Sequence, residues 1–197
     1  MSAFQRLPGP LWPIIFLLII LLLAVAGTAA KMGLRFDAHA ISNGQWWRLL
    51  SAHWVHLGWL HTLLNGAGFI LLYVLNPRGP ITHWFICYLF CSVLISVSIW
   101  LQQDFTYYVG ASGVLHGLLI VAAYKSSLLS TVRRYLFISI ILIKVIWEQT
   151  PWYDGGQLGQ AIGATVVVDA HFWGAVAGVL WVIFELGILH LNNQKRL

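Results

Sequence analysis

Long runs of uncharged, mostly apolar residues constrain this chain more than any motif in it. Residues 11–30 carry no charged side chain, and comparable apolar runs recur to residue 190. A hydrocarbon layer about 30 Å thick is crossed by about 20 helical residues. Backbone polar groups in lipid find no water, so each run must satisfy its own hydrogen bonds, as a helix does. With 59% hydrophobic and 9% charged residues, the chain has too few polar groups to coat a water-soluble globule. The expected fold is therefore all-α: a polytopic membrane protein with six transmembrane helices in a single domain, 1–197. The spans expected are 11–30, 59–75, 81–101, 112–124, 135–147 and 169–190.

Pro8, Pro10 and Pro13 suit the opening of the first span, where a missing N–H costs little. Small residues in "GTAAKM" would also fit a signal-peptide cleavage point, but the long apolar core favours a retained helix. The fourth and fifth spans are short, which predicts helix ends below the membrane surface. Residues 31–58, with "GQWWRLL" and Trp46, Trp47 and Trp54, read as an interfacial stretch.

Charge position sets the orientation. With the N-terminus inside, the inner segments hold Arg6, Arg78, Lys125, Arg133, Arg134, Lys195 and Arg196. The outer ones hold Lys31, Arg35 and Arg48, with the acids Asp37, Asp104, Glu148 and Asp154. Basic residues concentrate on the cytoplasmic side, so both termini are expected there. No basic, aromatic-interleaved patch suggests nucleic acid. Cys87 and Cys91 sit one turn apart in an apolar run and read as small packing residues.

In this orientation the second, fourth and sixth helices all run from outside to inside. His61 and Asn65 then lie near the start of one, Ser112 opens the next, and His171 lies near the start of the last. These side chains gather at one depth just below the outer surface. Polar groups in a bilayer are costly and face a cavity or one another, so the gathering reads as a site.

Serine needs a base within hydrogen-bond reach to become a nucleophile, and histidine titrates near neutrality. An oxyanion needs preorganised donors, which the free N–H groups of a helix start can supply. Gly110 and Gly113 flank Ser112 and permit close backbone approach. His61 and Asn65, four apart, share a helix face and can aim donors at one spot. His116 stands four residues after Ser112 and shares its face, so it competes with His171 for the role of base. Asp169 is two residues from His171, off its face, and reads as a helix N-cap.

Position 114 is Val, so "GASG" is not the nucleophile elbow of soluble hydrolases. Taken with "WWRLLSAHWVHLGWLHTLLN" (46–65) and "AHFWG" (170–174), it resembles the rhomboid family of intramembrane serine proteases. The resemblance implies a rhomboid-like bundle in which Ser112 is the nucleophile and His171 the general base and acid. His61, Asn65 and the Ser112 backbone N–H would bind the oxyanion. No carboxylate is required, so the site is a Ser-His dyad. His116 departs from the usual pattern, and "SGVLHG" with the compact length resembles the rhombosortase branch. Members of that branch process proteins bearing a Gly-Gly-containing C-terminal tail, a transmembrane helix and a basic end. The partners implied are membrane-anchored protein substrates, cut near the periplasmic face of a bacterial inner membrane.

No cofactor is expected and no metal: His53, His56 and His61 lack zinc spacing and accompanying ligands. His53 and His56 read as structural, holding their loop against helix 2; His39, His83 and His190 sit near interfaces. Lys144 and Glu148 are one turn apart and read as a packing pair, and Glu185 is expected at the depth of Arg133 and Arg134. Gly113/Gly117 and Gly174/Gly178 repeat a spacing that lets two helices touch, drawing Ser112 and His171 together. Two other classes fit the composition: a catalytically silent rhomboid-fold protein that binds membrane helices, and a small transporter. Intact Ser112 and His171 speak against the first, and the lack of a buried acid chain against the second.

Overall fold

A glycine bends the first apolar run. The computed structural model describes residues 11–75 and 80–194. In it, α1 (Leu11–Val25) ends and α2 (Gly27–Leu34) leaves at 112° to it. Gly27 takes φ +73°, a left-handed conformation that costs glycine little. The expected single span over 11–30 is thus two helices, and only α1 enters the bundle core. Arg6, Pro8, Pro10, Arg78, Lys195 and Arg196 lie outside the described residues.

The segment that follows α1 folds as short pieces around α2. Arg48 Nη1 donates to Met32 O (3.1 Å) and Arg35 O (2.8 Å), and Ser51 Oγ donates to Leu34 O (2.7 Å). These bonds satisfy carbonyls at the end of α2 that no helical N–H reaches. Strand β1 (Phe36–Asp37) pairs antiparallel with β2 (Tyr107–Tyr108), and α3 (Ala38–Ser42) is capped by Asp37, whose Oδ1 accepts from Ala40 N at 3.0 Å. Then α4 (Arg48–Ser51) and a 3-10 turn (Ala52–Trp54) lead into α5 (Trp59–Leu75).

The remaining bundle comprises α6 (Ile81–Gln102), α7 (Ser112–Lys125), α8 (Thr131–Glu148), α9 (Gly156–Ile162) and α10 (Val168–Gln194). The central helix is α7, with α5, α6, α8 and α10 packed around it. Its Val114, Leu118, Val121 and Ala122 are all fully buried, as expected of a helix that is apolar on every side. By contrast α5 and α8 turn Leu63, Ile70, Ile140, Ile143 and Ile146 outward. An exterior of that kind is stable against lipid rather than water.

Helices occupy the positions of all the expected spans. Among the described residues, α6 and α10 alone are each long and apolar enough to cross a membrane. The α1–α2 pair and Arg48–Trp54 with α5 qualify only as bent pairs, the second bent by 92°, and α7 is shorter. The fifth helix starts earlier than expected, at Thr131, because Ser130 caps it through a 3.5 Å bond from Arg133 N.

Aromatic rings pin α1 to the bundle. Trp12 stacks on Trp84 at 4.5 Å, and Phe16 meets Trp54, Phe69 and Tyr88 edge-on. Cys87 and Cys91 are buried free thiols in the same core. At the opposite end from Ser112 on α7, Glu185 accepts from Lys125 (2.9 Å) and Trp181 Nε1 (3.0 Å) and lies 3.3 Å from His83 Nδ1. Lys125, not the Arg133–Arg134 pair, is therefore its basic partner; Arg134 instead donates to Leu129 O.

The contact that matters for the site is between α7 and α10. A Cβ built on Gly117 would stand 2.6 Å from Gly174 O, one on Gly178 2.5 Å from Gly117 O, and one on Gly113 2.5 Å from Ala170 O. Gly174 would clash with the Gly113 carbonyl. The two helices thus touch backbone to backbone, which no larger residue allows. Their starts, bearing Ser112 and His171, are brought side by side.

Candidate active site

Ser112 is the first residue of α7, and the loop before it is braced from three sides. Gly110 N donates to Ala52 O at 3.0 Å, Tyr108 OH donates to Gly110 O at 2.7 Å, and Ala111 N lies 3.5 Å from His56 Nε2. Gly110 has φ +119°, and a Cβ there would lie 2.7 Å from the His61 ring. Glycine is required twice over, for the conformation and for the space. Leu115 N reaches back to Ala111 O, so the N–H groups at the preceding three positions of α7 have no acceptor within the helix.

His171 meets Ser112 across the α7–α10 seam, its Nε2 3.0 Å from Ser112 Oγ. Its other nitrogen, Nδ1, is 2.9 Å from Glu148 Oε2 at the end of α8. A carboxylate only accepts, so Nδ1 carries the proton and Nε2 is left to accept from the serine hydroxyl. Glu148 Oε1 accepts from Lys144 Nζ at 2.6 Å, and Lys144 also reaches His116 Nε2 at 3.1 Å. His116 Nδ1 donates to the Ser112 carbonyl at 2.7 Å, and its ring stacks on His171 at 4.4 Å. The five side chains close a loop that begins and ends at Ser112.

Sequence reading brought Ser112, His171 and His116 to one place, but it assigned Glu148 to packing with Lys144. The missed signal was helix direction: α8 returns antiparallel to α7, so its last residue arrives at the level of Ser112. Asp169 lies inside the first turn of α10 rather than at its cap, where its charge favours the helix dipole.

The oxyanion candidates are both buried on α5. His61 and Ser112 line a common cavity of about 380 Å³ with Lys31, Arg35, Tyr107 and Val166. Asn65 lies one turn deeper, and its Nδ2 donates to His61 O at 2.9 Å. His61 Nδ1 is buried without a hydrogen-bond partner, leaving the ring free to be aimed by a bound group. Gly113 lies in the helix seam. A second cavity, about 520 Å³, is lined by Glu148, Tyr153 and Asp154 and shares Ala164, Thr165 and Val166 with the first. Burial and the neighbouring Glu148 charge hold the Tyr153 phenol above its ordinary pKa, so it stays protonated.

His53 and His56 brace the loop, though in different directions. His53 Nε2 lies 3.2 Å from Ser92 O and 2.9 Å from Ser96 Oγ, tying the loop to α6 rather than to α5. His56 meets the His61 ring edge-on at 4.9 Å. His116, Glu148 and His171 offer ligand atoms within 4.8 Å of one another, a separation a metal ion could bridge. The Lys144 ammonium already bridges two of those groups and would repel a second cation.

Two comparisons with known proteins bear on this arrangement. A family model described as Rhomboid domain matches residues 43–187, well over half of the chain. The chain is also 22% identical over 162 residues to a Bacillus subtilis (strain 168) protein named "Putative rhomboid protease YdcA", covering 79% of this chain and 73% of that one.

Proposed function

Because the chain belongs to the rhomboid family, we propose that it is an intramembrane serine endopeptidase with Ser112 as nucleophile and His171 as base and acid. The observation that carries this reading is the 3.0 Å approach of Ser112 Oγ to His171 Nε2, with Ser112 on the wall of a cavity large enough for a peptide segment. His171 Nε2 takes the hydroxyl proton as Oγ bonds to the scissile carbonyl carbon. The carbonyl oxygen gains the displaced electron pair and is held by His61, Asn65 and the Ser112 backbone N–H. The imidazolium then protonates the leaving amine as the C–N bond breaks, and water repeats the sequence to release the acyl group.

Six helices cross the bilayer in this reading, with both termini cytoplasmic and Ser112 toward the outer face. The substrate is a membrane-anchored protein cut near that face. A Gly-Gly-containing tail suits the site, because glycine unwinds easily into an extended segment. The "SGVLHG" resemblance to the rhombosortase branch supports the same choice. No cofactor takes part. The test is co-expression with candidate Gly-Gly-tailed proteins, followed by mass spectrometry of their new C-termini. Tails shortened at one bond by the unaltered chain, and left whole by Ser112→Ala, are expected; unshortened tails with both would remove the substrate assignment.

A further inference from the structure

Glu148 is almost wholly buried, with a side-chain exposure of 3%, and its two carboxylate oxygens are both engaged. Oε2 faces His171 Nδ1 at 2.9 Å and Oε1 accepts from Lys144 Nζ at 2.6 Å. A buried carboxylate held this way is costly unless its charge is matched. Lys144 supplies the match, and its own position is set by His116 Nε2, which can only accept because His116 Nδ1 donates to a carbonyl. The carboxylate thus stands at a fixed place on the far side of the base from the nucleophile.

We propose that Glu148 is a positioning residue of the reaction, the third member of a Ser112–His171–Glu148 relay, and that Lys144 and His116 hold it in register. The inference rests on the reading of Ser112 and His171 as nucleophile and base. In this relay the proton moves from Ser112 Oγ to His171 Nε2 and then to the leaving nitrogen. The Nδ1 proton stays on the imidazole throughout, and Glu148 remains a carboxylate facing the transient imidazolium. Without it, the imidazole could carry its proton on Nε2 and offer the serine no acceptor. The same ring explains the histidine on α7: His116 stacks on His171 and limits its rotation, but neither of its nitrogens faces Ser112 Oγ.

An alkyl fluorophosphonate that labels activated serines reads the relay without a known substrate. The full chain is reconstituted in lipid and labelling rates are compared for the unaltered protein, Ser112→Ala, His171→Ala, Glu148→Gln and Glu148→Asp. Glu148→Gln is expected to lower the rate by about 10²–10⁴-fold, with Glu148→Asp partly restoring it at equal thermal stability. Labelling of Glu148→Gln at the unaltered rate, with His171→Ala inert, overturns the role of Glu148 and leaves the Ser–His pair standing. Unchanged labelling in Ser112→Ala or His171→Ala would instead remove the reading beneath it. If Glu148→Gln does not fold, nitrogen NMR of histidine-labelled unaltered protein decides, with the His171 signals identified by difference from His171→Ala. A proton on Nδ1 is expected, and one on Nε2 overturns the proposal.

Discussion

Ser112 Oγ and His171 Nε2 stand 3.0 Å apart although 59 residues separate them in the chain. Their meeting depends on the glycine seam, because each residue lies in the first turn of a helix and those helices touch through Gly113, Gly117, Gly174 and Gly178. Backbone contact fixes the helix axes, and the axes fix the reach of two short side chains.

His171→Ala should abolish cleavage as fully as Ser112→Ala, while His116→Ala should keep measurable activity. His116 donates from Nδ1 to the Ser112 carbonyl and accepts from Lys144 at Nε2, so it has no nitrogen to offer the hydroxyl. Cleavage in lipid by equally stable variants checks this; an active His171→Ala beside a dead His116→Ala would reverse the assignment.

His61→Ala should lower acylation by about 10²-fold, the effect of losing one oxyanion donor. Asn65→Ala should lower it less, because the Asn65 amide donates to the His61 carbonyl and acts partly by holding that turn. Single-turnover rates with folding checked separately would test the ranking. Full activity in both variants and in the double variant would make the pair structural.

Gly174→Ala should destabilise by at least about 1–3 kcal/mol, since its Cβ has only the Gly113 carbonyl to meet. Gly187→Ala, on the same helix with nothing within 4 Å of the added carbon, should be neutral or stabilising. Thermal unfolding in detergent distinguishes the two, and equal loss at both sites would mean the seam is looser than described.

Reporters fused after Arg134 and after Gln194 should read cytoplasmic, and one after Asp154 should read outside. An outside reading after Gln194 would break the common orientation of α5, α7 and α10 that sets His61, Ser112 and His171 at one level.

Much of this was legible in the linear chain because it is local or periodic. Apolar runs mark helices through the solvent they require, and the glycine spacing marks a contact that only small residues permit. Helix direction suggests a common level for His61, Asn65, Ser112 and His171, since alternating spans carry equivalent starts to equal depth, and the motif resemblance supplies their roles. What a sequence does not encode locally is rotation about each helix axis and the bend between helices. The 112° turn at Gly27 removed α2 from the first span, because one residue with positive φ outweighs an otherwise continuous apolar run. Asn65 Nδ2 spends one N–H on the His61 carbonyl of its own helix and keeps a second donor, a division that spacing alone does not give. Glu148 read as a partner for Lys144 because the two are one turn apart, and that contact exists at 2.6 Å. Its second oxygen reaches His171 only because α8 packs beside α7 and α10 and ends at their starts. Neighbour spacing determined the first bond; only the packing of three helices, which decides which side of α8 faces inward, determined the second.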